Sequence, residues 1–215
     1  MGNLLNFYRS TPPANNLTND LDPQIKIKAS DGVGDTVYFG AGCYWGTEKY
    51  IRKEFSEKYI GSILETSVGF MGPPGSKINP NYREVCSGTT GHVEVCYVKF
   101  KGDEKLFEEM IKFFYQFHDP TTLNQQGNDK GSQYSSVIYC ENKKQMEISK
   151  KVTDELQSRL DTGKHTFYSS NKITTLITLS TIYYPAHEEH QAYLEKNPRG
   201  YCNHRIRFSQ WTDLY

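Results

Sequence analysis

Thr36-Val37-Tyr38-Phe39-Gly40-Ala41-Gly42-Cys43-Tyr44-Trp45-Gly46-Thr47-Glu48 joins a short apolar run to a helix-like one across a pair of glycines. Thr36 to Phe39 reads as a buried strand. From Thr47 the pattern is helical, with Ile51, Phe55 and Tyr59 at four-residue steps and Glu48 four residues before Arg52. Cys43 therefore stands at a strand-to-helix turn, near the free N–H groups of a helix start, a setting that favours thiolate over thiol. Tyr44 and Trp45 can wall a small apolar pocket. A cysteine taken at random is more often an inert buried residue. Here the glycines around it, which let a ligand approach the backbone closely, turn the reading toward a reactive site.

Outward from this turn, strands alternate with helices. Ile63 to Phe70 reads as a strand, followed by a turn-rich loop through Asn79-Pro80-Asn81 to Cys86-Ser87-Gly88. His92 to Phe100 alternates as a strand. Leu106, Met110, Phe113, Phe114 and Phe117 trace one helix face, which His118-Asp119-Pro120 ends. Ser135 to Tyr139 is a short strand, Ile148 to Leu160 a third helix, and Ile173 to Ile182 a β-branched strand. The expected fold is α+β: a two-layer α/β sandwich with a mixed sheet, a split βαβ (ferredoxin-like) core, long loops and an irregular C-terminal tail. The expected organisation is an N-terminal extension at 1–35, a catalytic domain at 36–195 and a tail at 196–215. The extension holds Pro12-Pro13 and a glycosylation-like Asn16-Leu17-Thr18, a pattern common by chance.

The chain has 215 residues with 25 basic and 25 acidic side chains. That balance gives no electrostatic case for nucleic acid or an anionic membrane surface. No apolar run is long enough to span a bilayer, and the first residues lack a charged segment followed by an apolar core. The five cysteines, Cys43, Cys86, Cys96, Cys140 and Cys202, are odd in number and irregular in spacing, with no Cys-x-x-Cys pair. Zinc ribbons and secreted disulfide frameworks are disfavoured. The expectation is a cytoplasmic monomer.

Further candidate chemistry lies along the chain. Glu94 interrupts the apolar strand His92-Val93-Glu94-Val95-Cys96. On pattern alone a solvent-facing residue is the favoured reading, and a desolvated acid able to donate a proton is the functional one. Tyr82 and Tyr134, in turn-rich loops, offer hydroxyl donors or are plain surface tyrosines. His187-Glu188-Glu189-His190 has its histidines three apart, whereas the zincin helix needs four, so it reads as a polar helix face and no metal is expected. Cys202 follows Gly200-Tyr201 in the tail, where a thiol can reach a sulfenic acid or do nothing.

Taken in order, Gly42-Cys43-Tyr44-Trp45-Gly46, Asn79-Pro80-Asn81-Tyr82 with Gly91-His92-Val93-Glu94, His118-Asp119-Pro120, Gly127-Asn128-Asp129 with Gln133-Tyr134, and Gly200-Tyr201-Cys202 resemble the A-type peptide methionine sulfoxide reductases. That family acts on the S epimer of methionine sulfoxide. The resemblance covers roughly Val37 to Cys202. It implies Cys43 as nucleophile on the sulfoxide sulfur, Glu94 as the acid for its oxygen, and Tyr82 and Tyr134 as hydroxyls holding that oxygen. It implies Tyr44 and Trp45 around the S-methyl group, Asp129 as a supporting residue and Tyr201 as an aromatic at the edge. Cys202 is implied as the resolving thiol, forming a disulfide that thioredoxin reduces, with no bound cofactor. Two departures stand out. The family's phenylalanine after the nucleophile is Tyr44 here, and no cysteine follows Cys202, so recycling is expected to use one resolving step, with Cys86 the next candidate only if Cys202 proves dispensable. Other readings are a cysteine hydrolase or acyltransferase with His92 or His190 as base, and a module that binds oxidised methionine without reducing it.

Overall fold

A computed structural model describes residues 32–163 and 166–211; the expectations for the extension before Gly32 lie outside the described residues. In chain order the elements are β1 (Thr36–Ala41), α1 (Tyr44–Lys49), a π-helical turn (Tyr50–Phe55), α2 (Ser56–Lys58), β2 (Ile63–Met71), α3 (Tyr82–Cys86), β3 (Val93–Phe100) and α4 (Glu104–Phe117). They continue through the short pair β4 (Gln125–Gln126) and β5 (Asp129–Lys130), a 3-10 turn (Ser132–Tyr134), β6 (Ser136–Cys140) and α5 (Lys143–Leu160). The last are β7 (Leu176–Leu179), β8 (Tyr183–Pro185), a second 3-10 turn (Glu188–His190) and α6 (Tyr193–Lys196).

The main sheet runs β7-β6-β1-β3-β2-β8. Its four inner strands, β6-β1-β3-β2, each run antiparallel to their neighbours among the four. With a helical segment between β1 and β2 and α4 between β3 and β6, they form the split βαβ core the sequence suggests. β7 joins β6 in parallel and β8 joins β2 antiparallel, so the whole sheet is mixed. The sandwich core lies between one sheet face and the helices. Val37, Phe39, Cys96, Val98 and Ile138 meet Met110, Phe114 and Phe117 of α4 and Val152 and Leu156 of α5. Both long helices start on side-chain caps: Asp103 accepts from Leu106 N and Asn142 from Gln145 N, each at 2.9 Å. Cys96 and Cys140 are fully buried and serve as packing.

Two local expectations are corrected. The helix after Cys43 starts at Tyr44 rather than Thr47 and passes into the π-helical turn. The β-branched stretch 173–182 is not one strand. β7 ends at Leu179; Thr181 then donates its Oγ1 hydrogen to the Gly72 carbonyl at 2.6 Å and its N–H to Met71 Sδ at 3.4 Å. These bonds redirect the chain from one sheet edge toward the other, where β8 begins.

Candidate active site

Cys43 is the N-cap of α1, at φ −58° and ψ 123°. The turn below it is shaped by two glycines with no room for a side chain. Gly42 sits at φ +90°, and a Cβ there would come within 2.5 Å of Gln126 Cβ. A Cβ on Gly46 would lie 2.0 Å from His204 Nδ1. His204 in turn bonds the Ala41 carbonyl through Nε2 at 2.6 Å. A carbonyl only accepts, so Nε2 carries the proton, and burial lowers the His204 pKa to about 4, keeping the ring neutral. Thr47 closes the turn, its N–H and hydroxyl both reaching the Cys43 carbonyl at 3.4 Å.

Glu94 lies on β3, between β1 and β2, opposite Phe70 of β2, and is only 2% exposed. The expectation of a solvent-facing residue fails because β3 is a central strand whose two faces are both covered. The Tyr44 N–H donates to Glu94 Oε2 at 3.1 Å, tying the carboxyl to the first turn of α1. Burial raises its pKa to about 8; the Tyr44 N–H opposes the shift and Asp129 adds to it. Glu94 thus holds a proton at neutral pH. The expected Cys43 thiolate is also corrected. Burial first and the Glu94 charge second push the thiol pKa up, outweighing the Trp45 and Gly46 N–H groups that lower it. A six-residue helix gives too small a dipole to compensate for a desolvated sulfur.

Tyr82 opens α3, which starts on a reciprocal cap: Asn81 Oδ1 accepts from Glu84 N at 3.0 Å and Glu84 Oε2 from Asn81 N at 2.9 Å. Tyr134 ends the 3-10 turn that Gly131 opens at φ +137°. Gln133 links the two loops by donating to the Cys86 carbonyl at 3.1 Å. Both tyrosines are electrostatic neighbours of Glu94, and Tyr82 also bonds the Cys86 thiol. Cys43, Tyr44, Phe70, Val85 and Ala186 form one apolar cluster, with Trp45 and Tyr82 packed on it. Its outer wall is His190, stacked on Trp45 at 5.7 Å and tilted against Tyr82 at 4.6 Å between ring centroids.

Asp129 holds the tail. It accepts from the Tyr201 hydroxyl at 3.0 Å and from Asn203 Nδ2 at 2.7 Å, and Asn203 also donates to the Gln126 carbonyl at 2.7 Å. Tyr201 remains 47% exposed at the site's edge. Cys202, between these anchors, packs against the main core and lines a cavity of about 410 Å³ with Trp45, Glu48, Lys49 and Arg52. Cys43 and Cys202 are both free. The structure thus gathers Cys43, Tyr44, Glu94, Tyr82, Tyr134 and Asp129 around one spot, and Cys202 lines an adjoining cavity that shares Trp45 with it.

The peptide methionine sulfoxide reductase family model matches residues 35–213. The chain belongs to that family. A probable peptide methionine sulfoxide reductase of Schizosaccharomyces pombe is 43% identical over 175 residues, covering 80% of this chain and 94% of the relative. Mxr1 of Saccharomyces cerevisiae in reduced form superposes with a TM-score of 0.69 at 33% identity, covering 87% of this chain and 99% of Mxr1. Methionine sulfoxide reductase A of Corynebacterium diphtheriae gives 0.65 at 36% identity, with 78% and 77% covered. The enzyme is an A-type peptide methionine sulfoxide reductase, an oxidoreductase.

Several residues of this reductase's site do not stand out in the sequence. His190 belongs to a 3-10 turn walling the pocket, not to a polar helix face. Glu48 is buried, accepting from Thr66 Oγ1 at 3.0 Å and from Ala192 N at 2.8 Å, while Arg52 pairs with Glu195 at 2.9 Å. Gln191 clasps Val68, accepting from its N–H at 2.7 Å and donating to its carbonyl at 2.9 Å. His92 is buried in an edge-to-face contact with Tyr184, and the largest influences on the Cys43 thiol are burial and Glu94, not a histidine. Among the described residues no cluster of three or more acidic, histidine or cysteine side chains could hold a metal, and no helix is long and apolar enough to cross a membrane.

Proposed function

We propose that the reductase acts on the S epimer of methionine sulfoxide, in peptides or free, through a sulfenic acid on Cys43. The sulfoxide's methyl group packs against Tyr44 and Trp45. Its oxygen is held by Tyr82 and Tyr134 and takes a hydrogen bond, then a proton, from Glu94. The sulfur of Cys43 attacks the sulfoxide sulfur, and the S–O bond breaks as oxygen passes to Cys43. The balance is one thiol plus one sulfoxide to one sulfenic acid plus one sulfide. The thiol's own proton restores Glu94, so neither group needs to be ionised at rest. Cys202 then attacks the sulfenic sulfur, releasing water and leaving a Cys43–Cys202 disulfide. Thioredoxin exchanges its dithiol for that disulfide. A reducing cytosol supplies this reductant, and the site is built from one chain, so a monomer suffices.

The observation that supports this reading best is the buried Glu94 carboxyl, bonded to the nucleophile's own turn at 3.1 Å and held near pKa 8. Oxygen departure from sulfur needs a proton donor at neutral pH, and hydrolysis by a cysteine–histidine pair does not call for one there. The test is a single turnover with peptides carrying each epimer and thiols counted before and after. One methionine and two lost thiols with the S epimer alone fit the proposal; unchanged thiols without methionine reject it.

A further inference from the structure

Five tyrosines are buried among the described residues, and four of them have bonded hydroxyls. Tyr50 donates to the His204 carbonyl at 3.3 Å, Tyr139 to the Met71 carbonyl at 3.3 Å, and Tyr168 to the Tyr115 carbonyl at 2.7 Å. Tyr115 shares a bond with Thr153 Oγ1 at 2.6 Å. Tyr44 is the exception: 1% exposed, with no hydrogen-bond partner for its hydroxyl. A buried hydroxyl without a partner destabilises the fold, and its retention in an active site calls for a functional explanation, such as a ligand that supplies the partner.

We propose that the Tyr44 hydroxyl is a third hydrogen-bond donor to the sulfoxide oxygen, beside Tyr82 and Tyr134. The inference rests on the function proposed above. Tyr44 follows the nucleophile directly, its N–H holds Glu94 at 3.1 Å, and its ring shares the apolar cluster with Cys43 and Tyr82. Glu94, Tyr82, Cys43 and Cys86 are the groups its hydroxyl feels, in that order. The methyl and the oxygen of the substrate are bonded to the same sulfur, so one tyrosine can present its ring to the first and its hydroxyl to the second. The arriving oxygen is a strong acceptor and gives the hydroxyl a partner that no protein group supplies. The donor gains strength as negative charge gathers on that oxygen.

The signature is a variant that is more stable and less active. Tyr44→Phe should raise the Tm of the reduced, substrate-free enzyme. It should lower kcat/KM for a peptide methionine-S-sulfoxide about tenfold, with the loss visible in the single-turnover rate of methionine formation. Tyr82→Phe should then cost more activity when combined with Tyr44→Phe than in the parent, because the two hydroxyls share one oxygen. An unchanged kcat/KM overturns the proposal, and so does a variant losing Tm and activity together, which marks a structural hydroxyl. Failure of the parent itself to form methionine rejects the proposed function, and is thereby distinguished from failure of this inference.

Discussion

Cys43 stands on a turn set by backbone and close packing, whereas Cys202 stands on an irregular segment held by side-chain bonds. The first has Gly42 against Gln126, Gly46 against His204 and the Tyr44 N–H on Glu94. The second has Tyr201 and Asn203 on Asp129, with Cys202 between them lining a cavity that shares Trp45 with the site. The contrast fits their proposed duties. A nucleophile works best preformed, because any misplacement lowers the rate. A resolving thiol must stay clear while substrate occupies the pocket and approach only after methionine leaves. The tail is therefore held at both neighbours of Cys202 but not built into helix or strand.

The comparison breaks first at the resolving thiol. Cys202→Ser should form one methionine per enzyme at nearly the parent rate, then stop, with steady-state turnover on thioredoxin reduced at least roughly a hundredfold, or ~2.7 kcal/mol. Sustained turnover would shift the resolving role to Cys86.

Glu94→Gln should lower the single-turnover rate by about 10²–10⁴-fold, the usual range for a lost general acid. It also tests the burial argument through pH. A carboxyl whose pKa rises to about 8 on folding keeps a proton that the unfolded chain loses in the ordinary carboxylate range. Stability attributable to the bound proton is thus present at low pH and fades as pH climbs toward about 8, by at most ~1.4 kcal/mol per pH unit. The Tm of Glu94→Gln should gain on the parent across that window. A pH-independent Tm difference would place Glu94 in water.

Gly46→Ala sharpens the packed side of the contrast. The new methyl meets the ring of His204, which is itself pinned to Ala41, so about 1–3 kcal/mol of stability should be lost by thermal or urea unfolding. An unaffected midpoint would show that the floor of the turn yields. Asn203→Ala should have the smallest effect. It removes two bonds from the tail, and the expected change is a few-fold in the rate of disulfide formation, with methionine formation untouched.

What can be read from sequence follows the same division. The strand, glycine turn and helix around Cys43 are local, and the pattern places them within a few residues. Glu94 is visible as a carboxyl in an apolar strand, but its burial depends on β3 being central, a fact of strand order that alternation does not carry. The sequence misleads on the thiol state of Cys43 because it shows a short helix start without the desolvation imposed by Tyr44, Phe70 and Val85. His190, His204, Gln133 and Gln191 give no signal, since each acts by bonding or stacking on residues far away in the chain. The place of Cys202 is set by Asp129, which lies 72 residues before the Tyr201 it holds.

The most direct measurement is a rapid-quench time course on the parent enzyme with a peptide methionine-S-sulfoxide, following methionine and the Cys43–Cys202 disulfide in the same samples. A preformed Cys43 site and a Cys202 held on an irregular, side-chain-anchored tail predict two phases: methionine first, with a Cys43 sulfenic acid that dimedone traps, then the disulfide. Methionine and disulfide rising together with no trappable sulfenic acid would contradict the account.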